Sequence, residues 1–251
     1  MAMFEAYGTD GNNGSDGATH KKPPKPSQAP GGTAGVDAHC TGWWNPFPDT
    51  PAQAGGPGSN GASGENGKDG GDATNGQPGG NGGLISFQAA KLVGTITVNC
   101  RGGNGGNGGN GGDGADGGDG QDGGPGGVGG SGGGCEDNAG IGPAGVGGPG
   151  GKGGDGGRAG NGGDAGSGGH IVVLTNDPQA VSNIIPDPHD GLSSGQPGVA
   201  GAPGIKGIGG VGGAGSTSGG NGPDGISGSD KFPRPVDGNQ GGRATFDIYP
   251  E

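Results

Sequence analysis

Few side chains in this sequence are spaced to do chemistry. Histidine occurs at His20, His39, His170 and His189, scattered, with no nucleophile or paired carboxylates to complete a pocket. Pairings of His170 with an Asp are too easy to find in so acidic a chain to carry weight. Cys40, Cys100 and Cys135 form an odd set, which leaves at least one thiol unpaired within a monomer. His39, Cys40 and Cys135 carry metal-ligating atoms, but His39 and Cys40 are adjacent and lack the spacing of a zinc hook. Gly111-Gly112-Asp113-Gly114-Ala115-Asp116 matches the start of a calcium-binding nonapeptide, yet Gly118 stands where an apolar residue belongs and the period is three. No Gly-Lys-Ser/Thr phosphate loop occurs. We therefore expect no catalytic residue, no metal and no cofactor. The remaining candidates are Trp43, Trp44, Phe47 and Phe232, four of only nine aromatics. They can anchor a partner or cap an open end as a small core.

Composition narrows the classes further. With 79 glycines in 251 residues and 24% hydrophobic residues, the chain cannot bury an ordinary apolar core. The net charge of −12 disfavours nucleic acid and anionic membrane as partners. No apolar run approaches a transmembrane length, and residues 1–5 show no signal-peptide pattern. The expectation is a protein that stays in the cytosol, or acts extracellularly or on a particle after release.

The elements that must position the aromatics are runs with glycine at every third residue. They cover 8–17, 55–82, 102–134, 142–169 and 195–228. Strand candidates lie near 2–7, 84–90, 92–100, 170–175 and 244–249, and 21–30 is proline-rich. Three residues per turn at ~3.1 Å rise is polyproline-II geometry. Several such helices can bond side by side if the ridges between them lack side chains. Glycines per triplet then count the buried ridges. Run 102–134 has 21 in 33 residues and 142–169 has 16 in 28, which predicts a central antiparallel hairpin with two buried ridges in the first. A turn centred near Asn138 would set Val128 against Val146 and Pro149, and bring Asp119 and Asp122 toward Arg158 and Lys152. Runs 55–82 and 195–228 are sparser in glycine and should flank it. The fold class expected is one domain over 1–251: a polyglycine-II helix bundle on a small antiparallel β base, with essentially no α-helix.

Collagen is excluded because proline is only 21 of 251, and only 195–206 looks collagen-like. The Gly-Gly-Asn and Gly-Gly-Asp triplets at 102–122 resemble the glycine-rich motifs of receptor-binding adhesins at phage long tail-fibre tips. They are also similar to snow-flea antifreeze proteins. The resemblance implies a polyglycine-II bundle, and either receptor binding or ice binding.

Chain direction places the loops. If the strands form the base, loops 36–54, 135–141 and 229–237 gather at the far tip. That would collect Trp43, Trp44, Phe47 and Phe232 there, and make Cys40 and Cys135 neighbours and a candidate disulfide. Cys100 lies on the apolar strand face and should be buried. Val199, Ala202, Ile205, Ile208, Val211 and Ala214 fall one per triplet, an apolar ridge that should point outward. The function expected is a non-enzymatic adhesion module whose tip meets a protein or glycan receptor. Ice binding through the ridge and packing between assembly subunits are the alternatives, and oligomeric state is open.

Overall fold

Strands at one end of the chain's long runs set the direction of everything else. The computed structural model describes residues 2–39, 49–132, 137–177, 179–188, 191–216, 218–229 and 233–250. Among the described residues six strands occur: β1 (Ala2–Glu5), β2 (Leu84–Gln88), β3 (Ile96–Asn99), β4 (His170–Leu174), β5 (Ile184–Pro186) and β6 (Thr245–Tyr249). One helical turn, α1 (Ala180–Asn183), is the whole helical content among the described residues.

The strands form two three-stranded sheets, β1-β3-β5 and β2-β4-β6, and every pairing is parallel. The expected antiparallel base is therefore wrong. β1, β3 and β5 each lead into a run that leaves the base, whereas β2, β4 and β6 each end a run that returns to it. Strands of one sheet thus share one direction. The single β-prone stretch 84–100 breaks across 89–95, with Gly94 at φ 89°, and its halves join different sheets. β5 was not expected. Its only local signal is Ile184-Ile185 ahead of a proline.

The core lies between the sheets. Ile85, Val98, Cys100, Ile171, Val173 and Ile184 are buried together. Ile171 and Val173 alternate with half-buried neighbours along β4, the period-two pattern of a strand with one inner face. The rings of Phe4 and Phe87 meet edge to face at 4.9 Å. Burying each large aliphatic contributes ~1.5–3 kcal/mol, so this small cluster secures the base but not the long runs.

The runs are held by backbone hydrogen bonds repeating every third residue. Runs 1 (8–38), 3 (102–132) and 5 (195–216) ascend from the base. Runs 2 (53–82), 4 (139–169) and 6 (described over 219–229 and 233–243) descend to it. Ascending runs bond sideways to one another, as in Gly14 N–H to Asn107 C=O (2.7 Å) and Gly108 N–H to Val199 C=O (2.9 Å). Descending runs do the same, as in Gly70 N–H to Asp155 C=O (2.8 Å) and Gly153 N–H to Ile226 C=O (2.9 Å). The two layers cross-bond antiparallel, through Gly109 N–H to Thr74 C=O (3.0 Å), Gly157 N–H to Gly112 C=O (2.8 Å) and Gly204 N–H to Gly157 C=O (2.9 Å). Runs 3 and 4 each bond to runs on both sides and across, which is why they hold the most glycine.

Three expectations about these runs need correction. Runs 3 and 4 do pair antiparallel, but the bonds Gly142 to Gly127 and Gly169 to Cys100 centre the hairpin between positions 134 and 135, ahead of Asn138. Asp119 and Asp122 consequently meet Lys22 (2.7 Å) and Lys25 (2.8 Å) of run 1, while Lys152 pairs with Asp155 (3.4 Å). The run 195–228 is not continuous. It turns after Ser216, where Gly219 N–H donates to Ser216 C=O (2.7 Å), and returns with Gly222 on Gly213 and Gly228 on Gly207. The turn falls where Ser216 replaces the in-frame glycine of the run. Finally, the ends of 229–237 lie beside the middle of run 4, with Ser229 N–H on Asp155 Oδ1 (2.7 Å) and Val236 N–H on Asn161 Oδ1 (3.1 Å). Ser229 and Val236 are therefore not at the tip, and 230–232 lie outside the described residues.

Close approach is what the glycines permit. A Cβ on Gly109 would fall on the carbonyl oxygen of Ser15, with Gly160 also near through its own bond to Gly109. A Cβ on Gly140 meets nothing within 4 Å. Gly109→Ala should therefore destabilise by about 1–3 kcal/mol, the usual effect of overpacking, and Gly140→Ala should leave the unfolding midpoint unchanged; thermal denaturation followed by circular dichroism checks both.

Candidate functional site

The side chains between glycines are structural acceptors, a role the sequence reading missed. In run 1, Asp10 Oδ1 accepts the Asn104 N–H (2.7 Å) while the next residue, Gly11, donates its N–H to Asn104 C=O (2.7 Å). Asn107 and Gly108 grip Val199 in the same way, at 3.0 Å and 2.9 Å. Asp69 and Gly70 grip Asp155, both at 2.8 Å. Each Asx-Gly step thus clamps the N–H and the C=O of one residue in the adjacent parallel run. The run 3 triplet Gly105-Gly106-Asn107 shows the outcome: its N–H groups go to Gln196 C=O, Gln77 C=O and Asn13 Oδ1. No backbone donor of that triplet is wasted, as burial demands. The signal was present in the sequence as Asn or Asp immediately before glycine, in frame in most runs.

Where the clamp fails, other groups take over. Pro23 and Pro26 fall at donor positions of run 1 and have no N–H to give. The direct bonds between run 1 and run 3 lapse from Asp113 to Asp122. Lys22–Asp119 and Lys25–Asp122 span that interval instead. Gln121 bridges it too, accepting from Ala62 N–H (2.8 Å) and donating to Ser27 C=O (2.6 Å). Ala115 is buried at a triplet position that, apart from Gln121, run 3 fills with glycine, and it lies in this same interval, where the proline segment stands off.

The clamps turn one column outward. Asn107, Asn110, Asp113, Asp116, Asp119 and Asp122 bind the backbone N–H of Val199, Ala202, Ile205, Ile208, Val211 and Ala214 in turn, at 2.8–3.1 Å. These six residues are exposed, Ile205 at 72% and Ile208 at 68%. They line one straight edge of the ascending layer.

At the end farthest from the sheets, two loop bases are fixed together. Ala38 N–H donates to Ser131 C=O (2.7 Å), and His39 and Thr50 exchange both backbone bonds at 3.0 and 3.1 Å. Gly130 N–H reaches Gln53 C=O (2.9 Å), and Ala139 N–H reaches Gly130 C=O (2.9 Å). Cys40, Trp43, Trp44 and Phe47 of the first loop, Cys135 of the second, and Phe232 lie outside the described residues.

Other reactive groups are accounted for locally. Cys100 is a buried free thiol in the core, and burial pushes its pKa up. His170 Nε2 lies 2.7 Å from Asp247 Oδ2 on the neighbouring strand. Among the described residues no group of three His, Cys, Asp or Glu is arranged to hold a metal ion, and no helix is long and apolar enough to cross a membrane. No protein-family description matches the chain, and no curated protein or solved structure matches it either.

Asn107→Ala should leave the Val199 N–H without its acceptor and cost about 0.5–1.5 kcal/mol, whereas Asn107→Asp keeps Oδ1 and should be near neutral; amide exchange at Val199 and thermal unfolding separate the two. Acid should also weaken the fold. The Lys22 side chain, then the Val211 N–H, hold Asp119 below the ordinary Asp range. Lys25, then the Ala214 N–H, do the same for Asp122, and the Ser229 N–H does so for Asp155. Groups with a depressed folded pKa stabilise fully above the unfolded value, ~3.9, and lose that contribution as pH falls through the folded values. The melting temperature should therefore be flat near neutrality and fall below about pH 4, less steeply in a Lys22→Gln, Lys25→Gln variant.

Proposed function

We propose that this chain is a non-enzymatic, rigid display module: a bundle of six polyglycine-II helices on a β base, whose far-end loops contact a protein or glycan receptor. The observation that carries this reading is the pairing of both loop bases, Ala38 with Ser131 and His39 with Thr50, at the end opposite the sheets. A loop held at both feet by a hydrogen-bonded scaffold presents its side chains with little ordering cost on binding. Trp43, Trp44 and Phe47 belong to that loop. Cys40 and Cys135 follow the paired residues closely in sequence, so a disulfide between them would staple the two loops. Periodic donors from glycine, extended runs with no α-helix, and alternating run direction support the polyglycine-II geometry.

The exposed aliphatic edge favours a second reading. A ridge of Val199, Ile205, Ile208 and Val211 at 60–72% exposure can meet ice or a neighbouring subunit.

Binding to a glycan array and to intact bacterial cells, read by fluorescence, distinguishes the readings. Trp43→Ala with Trp44→Ala should abolish it at unchanged circular dichroism; undiminished binding would sink the tip assignment. Thermal hysteresis that disappears on Ile208→Asp would move the function to the ridge.

A further inference from the structure

The chain is acidic, yet two of its four arginines line one cleft at the base. Arg101 follows β3 at the start of run 3, and Arg243 closes run 6 ahead of β6. Between them Ser193 and Ser194 lead into run 5, Gln196 lies at its start, and Asn104 and Gln240 complete a cleft of about 370 Å³. Among the described residues no carboxylate lines it. Among the described residues, neither guanidinium has a carboxylate partner.

The hydrogen bonds already made decide what the cleft has left to offer. Asn104 Oδ1 is taken by the Gln196 N–H (2.9 Å), so its side-chain amide N–H groups remain. Ser194 Oγ accepts from Gln240 Nε2 (3.3 Å), which leaves its own proton free to donate. Arginine has donors only. The unspent capacity of the cleft is thus largely donor capacity, with two fixed positive charges. Its walls are held by backbone bonds between runs, Gly102 N–H to Ser193 C=O (3.1 Å) and Gly105 N–H to Gln196 C=O (2.8 Å). An adjoining recess of about 460 Å³ shares Ser193 and Arg243 and contains Asp187. Asp187 Oδ2 accepts from Asn99 Nδ2 (3.3 Å), so one of its oxygens is occupied.

We propose that this cleft binds an anionic oxygen group, a carboxylate or sulfate, carried by a small molecule or a saccharide. Planar guanidinium groups match such oxygens two at a time. The site lies at the end opposite the loops and does not depend on them.

Sodium sulfate and sodium acetate, titrated at constant ionic strength against chloride, test the proposal through the Nε–Hε NMR signals of the arginines. Saturable shifts at Arg101 and Arg243, with none at Arg158 and Arg234, are expected. Arg101→Gln and Arg243→Gln should each weaken binding tenfold or more, with the circular dichroism spectrum retained. Unsaturable shifts, or shifts equal at all four arginines, would overturn the proposal, and so would undiminished affinity in both variants. The wild-type titration stands even where a variant misfolds. A sulfated or uronate disaccharide binding at least tenfold tighter than the free ion would identify a saccharide as the carrier; equal affinity would identify the free anion.

Discussion

The closeness of neighbouring backbones governs this molecule. Two extended runs can exchange N–H···O=C bonds directly only where no Cβ stands between them, and a Cβ on Gly112 or Gly157 would strike a carbonyl. Most stabilisation must then come from hydrogen bonds that are each worth ~1 kcal/mol net, repeated along six runs. The apolar core between the sheets is small and local. Its part is to fix direction and register at one end, from which the ladders continue.

Glycine alone leaves one backbone donor per triplet pointing at a position where the neighbouring backbone has no acceptor. Asn and Asp fill that gap, and the following glycine returns a bond to the same residue. This explains how run 3 passes from Asn at 104–110 to Asp at 113–122 with the clamp unchanged: only Oδ1 is used, and Asn107 and Asp113 supply it equally well. It also accounts for much of the negative charge as a by-product of the scaffold. Arg101 and Arg243, with no carboxylate partner among the described residues, are the exception to this pattern.

The proline segment shows the same rule from the other side. Pro23 and Pro26 cannot donate, and there the ladder gives way to lysine–aspartate pairs and the Gln121 bridge. Exposed ion pairs of this kind are worth ~0–1 kcal/mol each. The interval is accordingly the weakest part of the ascending layer, and it is where a buried alanine, Ala115, is accommodated.

The sequence by itself determined the runs, their glycine ridges, the approximate strands and the outward ridge at 199–214, because a period of three and a period of two are local properties of side-chain spacing. It also determined that runs 3 and 4 are central, since glycine content records how many neighbours a run must touch. Tertiary structure decided the rest. Parallel sheets follow from all ascending strands sharing a layer, which no local window contains. The partners of Asp119 and Asp122 depend on register across 97 residues of sequence. The fold-back after Ser216 takes place where one glycine of the frame is missing, and it carries Ser229 and Val236 to the middle of run 4. The Asx clamp was written in the sequence, but which residue each clamp holds exists only once two runs lie side by side.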